Sequence, residues 1–147
     1  MRNVSFFVVV CFLLLCPAFL HAQTAAELEE ILNVPSVSYG QAAQFVVGAV
    51  DGYAGSYAFN QAAERGWLPK GAEWDDSVTM GGLSFLIMRA FDIKGGMMYT
   101  ILPGPRYAFR SMVARSLIQG NSDPSMSVSG ERFLQILGNV LSFAGGE

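Results

Sequence analysis

The chain contains one of its own segments twice. Shifted by 50 positions, residues 57–79 fall on 107–129 without a gap: Tyr57-Ala58-Phe59 on Tyr107-Ala108-Phe109, Arg65 on Arg115, Ser77-Val78 on Ser127-Val128. That is six identities over 23 positions, where ordinary composition gives roughly one or two. Similar residues also coincide: Trp67 with Leu117, Leu68 with Ile118, Glu73 with Asp123, Thr79 with Ser129. A fainter third copy lies upstream, where Val37-Ser38 resembles Val78-Thr79 and Val128-Ser129. Each pair precedes an apolar stretch, 42–50, 83–91 or 133–141. A unit this short cannot bury its apolar face alone, so its copies must pack on one another.

Each copy reads as helix, loop, helix. Ser56 is placed to cap a helix over 57–65 that Gly66 ends. Residues 67–77 are polar and turn-rich, and Thr79 then caps a second helix to about Phe91. That helix is apolar nearly all round, so it is expected at the centre of the core. In the last copy Ser129 is the cap, and Glu131 sits in the first turn, where the helix dipole favours an acid. Phe133, Leu137, Val140 and Leu141 share one helical face. Residues 25–32 form a short first helix. Between the second and third copies, Met98 to Leu102 is expected as a short extended segment, followed by a turn at Pro103-Gly104-Pro105. The expected fold class is mostly α.

The N-terminus carries a different signal. Met1-Arg2-Asn3 precedes the apolar run SFFVVVCFLLLCPAFL at 5–20, with small residues near Ala22. This is the anatomy of a signal peptide over 1–22, leaving one domain over 23–147. Leu13-Leu14-Leu15-Cys16 is a poor lipidation signal, because Leu15 rather than a small residue precedes the Cys. Cleavage removes Cys11, Cys16 and His21, which are all the cysteine and histidine in the chain. Cys and His nucleophiles, Ser-His-Asp triads, zinc sites and disulfides are thereby excluded from the remaining chain. It keeps eight basic and twelve acidic side chains, with no basic run to bind nucleic acid. The expected location is extracytoplasmic, in the periplasm or cell envelope.

Tyr57-Ala58, Gly66-Trp67-Leu68, the Asp75-Asp76 loop and Val78-Thr79, with their counterparts Tyr107-Ala108, Leu117-Ile118, Asp123-Pro124 and Val128-Ser129-Gly130-Glu131, form a pattern. It resembles the S-layer homology (SLH) family, whose repeats run from an aromatic-Ala helix through a polar turn loop to a second apolar helix. The resemblance covers about 38–143, with repeats at about 24–50, 51–93 and 100–143. It implies a compact pseudo-threefold helical bundle and a role at the cell wall. The arginine with which the family contacts an acidic wall polymer is replaced here by Met80 and Gly130.

Candidate chemistry is sparse. Glu73, Asp75 and Asp76 are neighbours in one loop with no partner acid placed across a cleft, so they read as a solvated turn rather than a glycosidase pair. Their spacing does not match a calcium loop either. Arg65, Lys70, Arg106, Arg110 and Arg115 lie near Tyr57, Trp67, Trp74 and Tyr107 in the chain. Guanidinium pairs with carboxylate and rings stack on sugars, so such a set suits an acidic glycan. In the competing reading Tyr57 and Tyr107 are core anchors and the arginines are helix surface. The ligand-binding candidates are Trp67, Trp74, Arg106 and Arg110, in one dominant groove that sets Trp74 beside Arg106 or Arg110. Met97-Met98-Tyr99 is either a protein-contact surface or a loop pinned over the core. The expectation is a non-catalytic exported envelope protein that binds peptidoglycan or another cell-wall polymer, without cofactor or metal. The alternative is an adaptor for another envelope protein.

Overall fold

The computed structural model describes residues 25–52 and 55–146. The expected signal peptide lies outside the described residues. The chain divides into two units, to Asn33 and from Val34. In the first, α1 spans 25–32, and the Asn33 side-chain amide donates to the Glu29 carbonyl at its C-terminal end.

The second unit is built from helices: α2 Tyr39–Asp51, α3 Ala58–Glu64, α4 Met80–Ala90, α5 Met97–Ile101, α6 Pro105–Ala114 and α7 Gly130–Ala144. Three of these start the same way. Ser38, Thr79 and Ser129 are extended N-caps whose hydroxyls accept from the backbone N–H three residues on, at Gln41, Gly82 and Arg132. Ser38 forms a full capping box, with the Gln41 side chain accepting from the Ser38 N–H. Each cap satisfies a donor that a helix start leaves without an intrahelical partner.

The residues just before these caps hold the unit together. Val37 N–H donates to Val128 O at 2.8 Å, Val78 N–H to Val37 O at 2.8 Å, and Val128 N–H to Val78 O at 3.2 Å. The three valines thus close a ring of hydrogen bonds, and all three are fully buried. A buried backbone donor left unpaired is costly, and here three segments distant in sequence satisfy one another. The first residue of each helix extends the pattern outward. Tyr39 N–H donates to Asp76 O, Met80 N–H to Met126 O and Gly130 N–H to Val34 O.

The 50-residue offset holds for the backbone of the loops as well. Trp67 N–H donates to Ala62 O and Leu117 N–H to Met112 O, each reaching back over a turn whose tip, Gly66 or Ser116, has positive φ. Asp76 N–H donates to Glu73 O and Met126 N–H to Asp123 O. α4 is the central element: every residue from Met80 to Met88 is buried, and it packs against both α2 and α6. Its one buried polar side chain, Ser84, donates to the Met80 carbonyl at 2.6 Å.

Four local expectations are corrected. Ser56 does not cap α3; the helix begins one residue later, with Tyr57 at the N-cap and no side-chain bond there. Tyr57 is not a core anchor, being 70% exposed, because Ala58 and Ala62 supply the inward face of α3. Leu141 is exposed, and Ile136 joins Phe133, Leu137 and Val140 in the core instead. Residues 97–101 are helical rather than extended: Gly96 opens the turn, and its carbonyl accepts from the Thr100 N–H and hydroxyl.

Candidate functional site

Two grooves share the same backbone contact, one filled and one open. In the first, Gly40 N–H donates to the Trp74 carbonyl at 3.0 Å, and in the second Gly81 N–H donates to the Pro124 carbonyl at 2.8 Å. Trp74 and Pro124 stand at the 50-residue offset, as do Phe59 and Phe109. In the first groove the Trp74 indole lies directly on Gly40, where a Cβ would collide with the ring. It also meets Phe59 edge to face, with ring centroids 5.6 Å apart. The tryptophan therefore plugs its own groove, although 38% of its surface stays exposed.

In the second groove Pro124 is too small to do the same. A cavity of about 490 Å³ is left, floored by Gly81, Pro105, Phe109 and Pro124. Arg106 and Arg110, one turn apart on α6, form one wall, and Asp123 and Ser125 form the other. Pro105 opens α6 at its first position, where the missing N–H costs nothing and the fixed φ suits the helix. Gly81 lets the Pro124 carbonyl approach: a Cβ there would sit 3.1 Å from that oxygen.

The electrostatics of the cavity favour an anion. Both arginines are exposed, and among the described residues the one ion pair is elsewhere, Arg65 with Asp51 at 2.9 Å. The opposing Asp123 carboxylate is already engaged, accepting from the Ser125 hydroxyl and from the Ser125 N–H at 2.8 Å. Those bonds, followed by the nearby charge of Arg106, hold its pKa below the ordinary carboxylate value. Two guanidinium groups face one satisfied carboxylate across an apolar floor. Phe109 is itself buried, so Pro105 offers the accessible apolar contact while the guanidinium groups can bond a carboxylate or phosphate oxygen.

The four sequence candidates thus divide among three places. Arg106 and Arg110 share the open groove. Trp74, expected from the sequence to lie beside them, instead fills the groove at Gly40. Trp67 is half-buried under the Arg65 guanidinium, 4.7 Å from its ring centroid, and that arginine is tied to Asp51. Sequence reasoning missed Pro105, Phe109 and Ser125 as groove residues. The offset that aligns Phe59 with Phe109 and Trp74 with Pro124 was the available signal. Among the described residues no cluster of three or more acidic, Cys or His side chains is placed to hold a metal, and no helix is long and apolar enough to cross a membrane. No family model, curated protein or solved structure matches the chain.

Proposed function

We propose that this is a non-catalytic, exported cell-envelope protein whose SLH-like repeats form a pseudo-threefold bundle and bind an acidic cell-wall polymer. The observation that carries the reading is the groove left open by Pro124, with Arg106 and Arg110 above an apolar floor. Its residues offer apolar contact and charge-assisted hydrogen bonds, and its one hydroxyl, on Ser125, is engaged by Asp123. The ring of Val37, Val78 and Val128 and the three equivalent caps support the repeat architecture that the SLH resemblance implies. Cleavage of the leader near Ala22 delivers the domain to the envelope.

The test is co-sedimentation of the protein with purified sacculi, comparing wild type with Arg110→Ala and Pro124→Trp. The second substitution introduces the plug that Trp74 provides in the neighbouring groove. Wild-type binding lost in both variants, with unchanged circular dichroism, supports wall-polymer recognition. Unchanged sacculus binding in both removes the groove from consideration. No sacculus binding, together with stoichiometric recovery of one envelope protein in a crosslinked pull-down, replaces the reading with the adaptor role.

A further inference from the structure

The connection between α4 and α6 is longer than its counterpart between α2 and α3, and it carries a structure of its own. α5 has no buried residue. Met97 is 78% and Ile101 65% exposed, and Met98 and Leu102 beside them are exposed as well. A short helix that, with its C-cap Leu102, presents four large apolar side chains and contributes none to the core is not explained by folding.

The segment is held in place rather than loose. Gly96 N–H donates to the Ser111 hydroxyl at 3.2 Å, and the Arg115 guanidinium donates to the Lys94 carbonyl. The Tyr99 ring lies on Gly95, where a Cβ would meet its Cβ and Cγ at 2.6 Å. The apolar wedge is therefore pre-positioned, and docking it costs little conformational freedom.

Charge separates this region from the rest of the chain. Residues 89–122 contain five basic side chains and one acid, Asp92, whereas the remainder of 23–147 contains three and eleven. The cations surround the wedge. Lys94 precedes α5, Arg110 and Arg115 flank the groove between α5 and α6 where Met97 and Met98 lie, and Arg89 sits close enough to Tyr99 to oppose the rise in its pKa that burial causes. A projecting apolar tip with a basic collar, on a protein that is otherwise acidic, matches the two layers of a membrane surface: anionic headgroups and the acyl boundary beneath them.

We propose that α5 and its collar dock on the surface of an anionic lipid bilayer, with Met97, Met98, Ile101 and Leu102 entering the acyl boundary. Arg110 lines both this groove and the wall-polymer groove, but α5 belongs to the former alone, and the lipid reading does not rest on polymer binding.

The test uses the protein purified from the cells that make it, with its methionine methyls isotopically labelled. It is mixed with lipid nanodiscs carrying a nitroxide lipid, either phosphatidylcholine alone or with phosphatidylglycerol. On anionic discs the Met97 and Met98 methyl signals should be bleached, while those of the buried Met88 and Met112 persist. Lys94→Glu should weaken the effect by about tenfold or more at low salt, and Met97→Ser with Ile101→Ser should abolish it. Equal bleaching on phosphatidylcholine, or no preference for the α5 methyls on either disc, overturns the proposal. So does a concentration-dependent shift of those methyls without lipid, which would assign the surface to a second copy of the chain.

Discussion

Tyr39 reaches from α2 to α4 and rests its hydroxyl on Gly82, in the space a side chain would occupy. Both residues are buried, and Gly82 is also the N–H that the Thr79 cap receives. Gly82→Ala therefore forces the phenol out of its site although alanine is the better helix former. A loss on the order of 1–3 kcal/mol is expected, read by chemical denaturation. If the contact is the cause, Gly82→Ala should cost little when introduced into a Tyr39→Ala background, and an undiminished cost there would reject it.

The same tyrosine gives the fold an alkaline limit. Burial raises the Tyr39 pKa above its ordinary value of 10.0, with the neighbouring Asp76 charge adding and hydrogen bonding to Thr79 opposing. The folded state holds the proton more tightly than the unfolded chain does. The contribution is thus fully present below the unfolded value and is lost as pH rises through the raised one. Stability should fall above about pH 10, and Tyr39→Phe should remove that part of the fall. An identical alkaline profile in the phenylalanine variant would reject the assignment.

Leu86 and Thr79 separate core from cap on one helix. Leu86 is fully buried, so Leu86→Ala should cost on the order of 2–5 kcal/mol. Thr79→Ala removes the acceptor for the Gly82 N–H and should cost about 1 kcal/mol. Urea midpoints of the two variants measure both, and equal, negligible changes would mean that α4 is not central to stability.

Trp74 and Pro124 should respond in opposite ways. Trp74→Ala strips the cover from Gly40 and Phe59 and should destabilise by about 2 kcal/mol. Pro124→Trp keeps the carbonyl that Gly81 uses and adds apolar contact with Phe109, so its stability should stay within about 1 kcal/mol of wild type. Thermal unfolding of the pair checks the asymmetry; a large loss from Pro124→Trp would show that the open groove cannot accept an indole.

Thr79, Ser129 and the paired valines were legible because caps and register are local signals, carried by residues three positions apart or by the 50-residue offset. The low-polarity run at 80–88 likewise announced the central helix. The fate of Tyr57 was not legible: its ring falls at the helix start, off the face that Ala58 and Ala62 turn inward. Nor was the plug. Trp74 covers Gly40, and the correspondence of Gly40 with Gly81 rests on the faint first copy, which preserves little beyond Val37-Ser38. The expectation from sequence sets Trp74 beside Arg106 or Arg110, and only tertiary packing shows that it covers Gly40 and meets Phe59 instead. Arg106 and Arg110 could be paired from helical spacing alone, but Asp123 and Ser125 lie in the loop after α6 and Gly81 on α4, and no spacing brings these to the same groove.

The valine ring sets a limit on how such a protein can vary. An open stack of units can be lengthened or trimmed at either end, with each unit losing only a neighbour. Here Val37 bonds Val128, so segments near the two ends of the second unit are adjacent and the circle has no free end. Removing any one of the three valine segments leaves an unmatched donor and acceptor at the centre, and an added one leaves the circle unable to close at the same radius. Change is therefore easiest at the rim, where a single side chain, Trp74 in one groove and Pro124 in the other, decides whether a groove is shut or open.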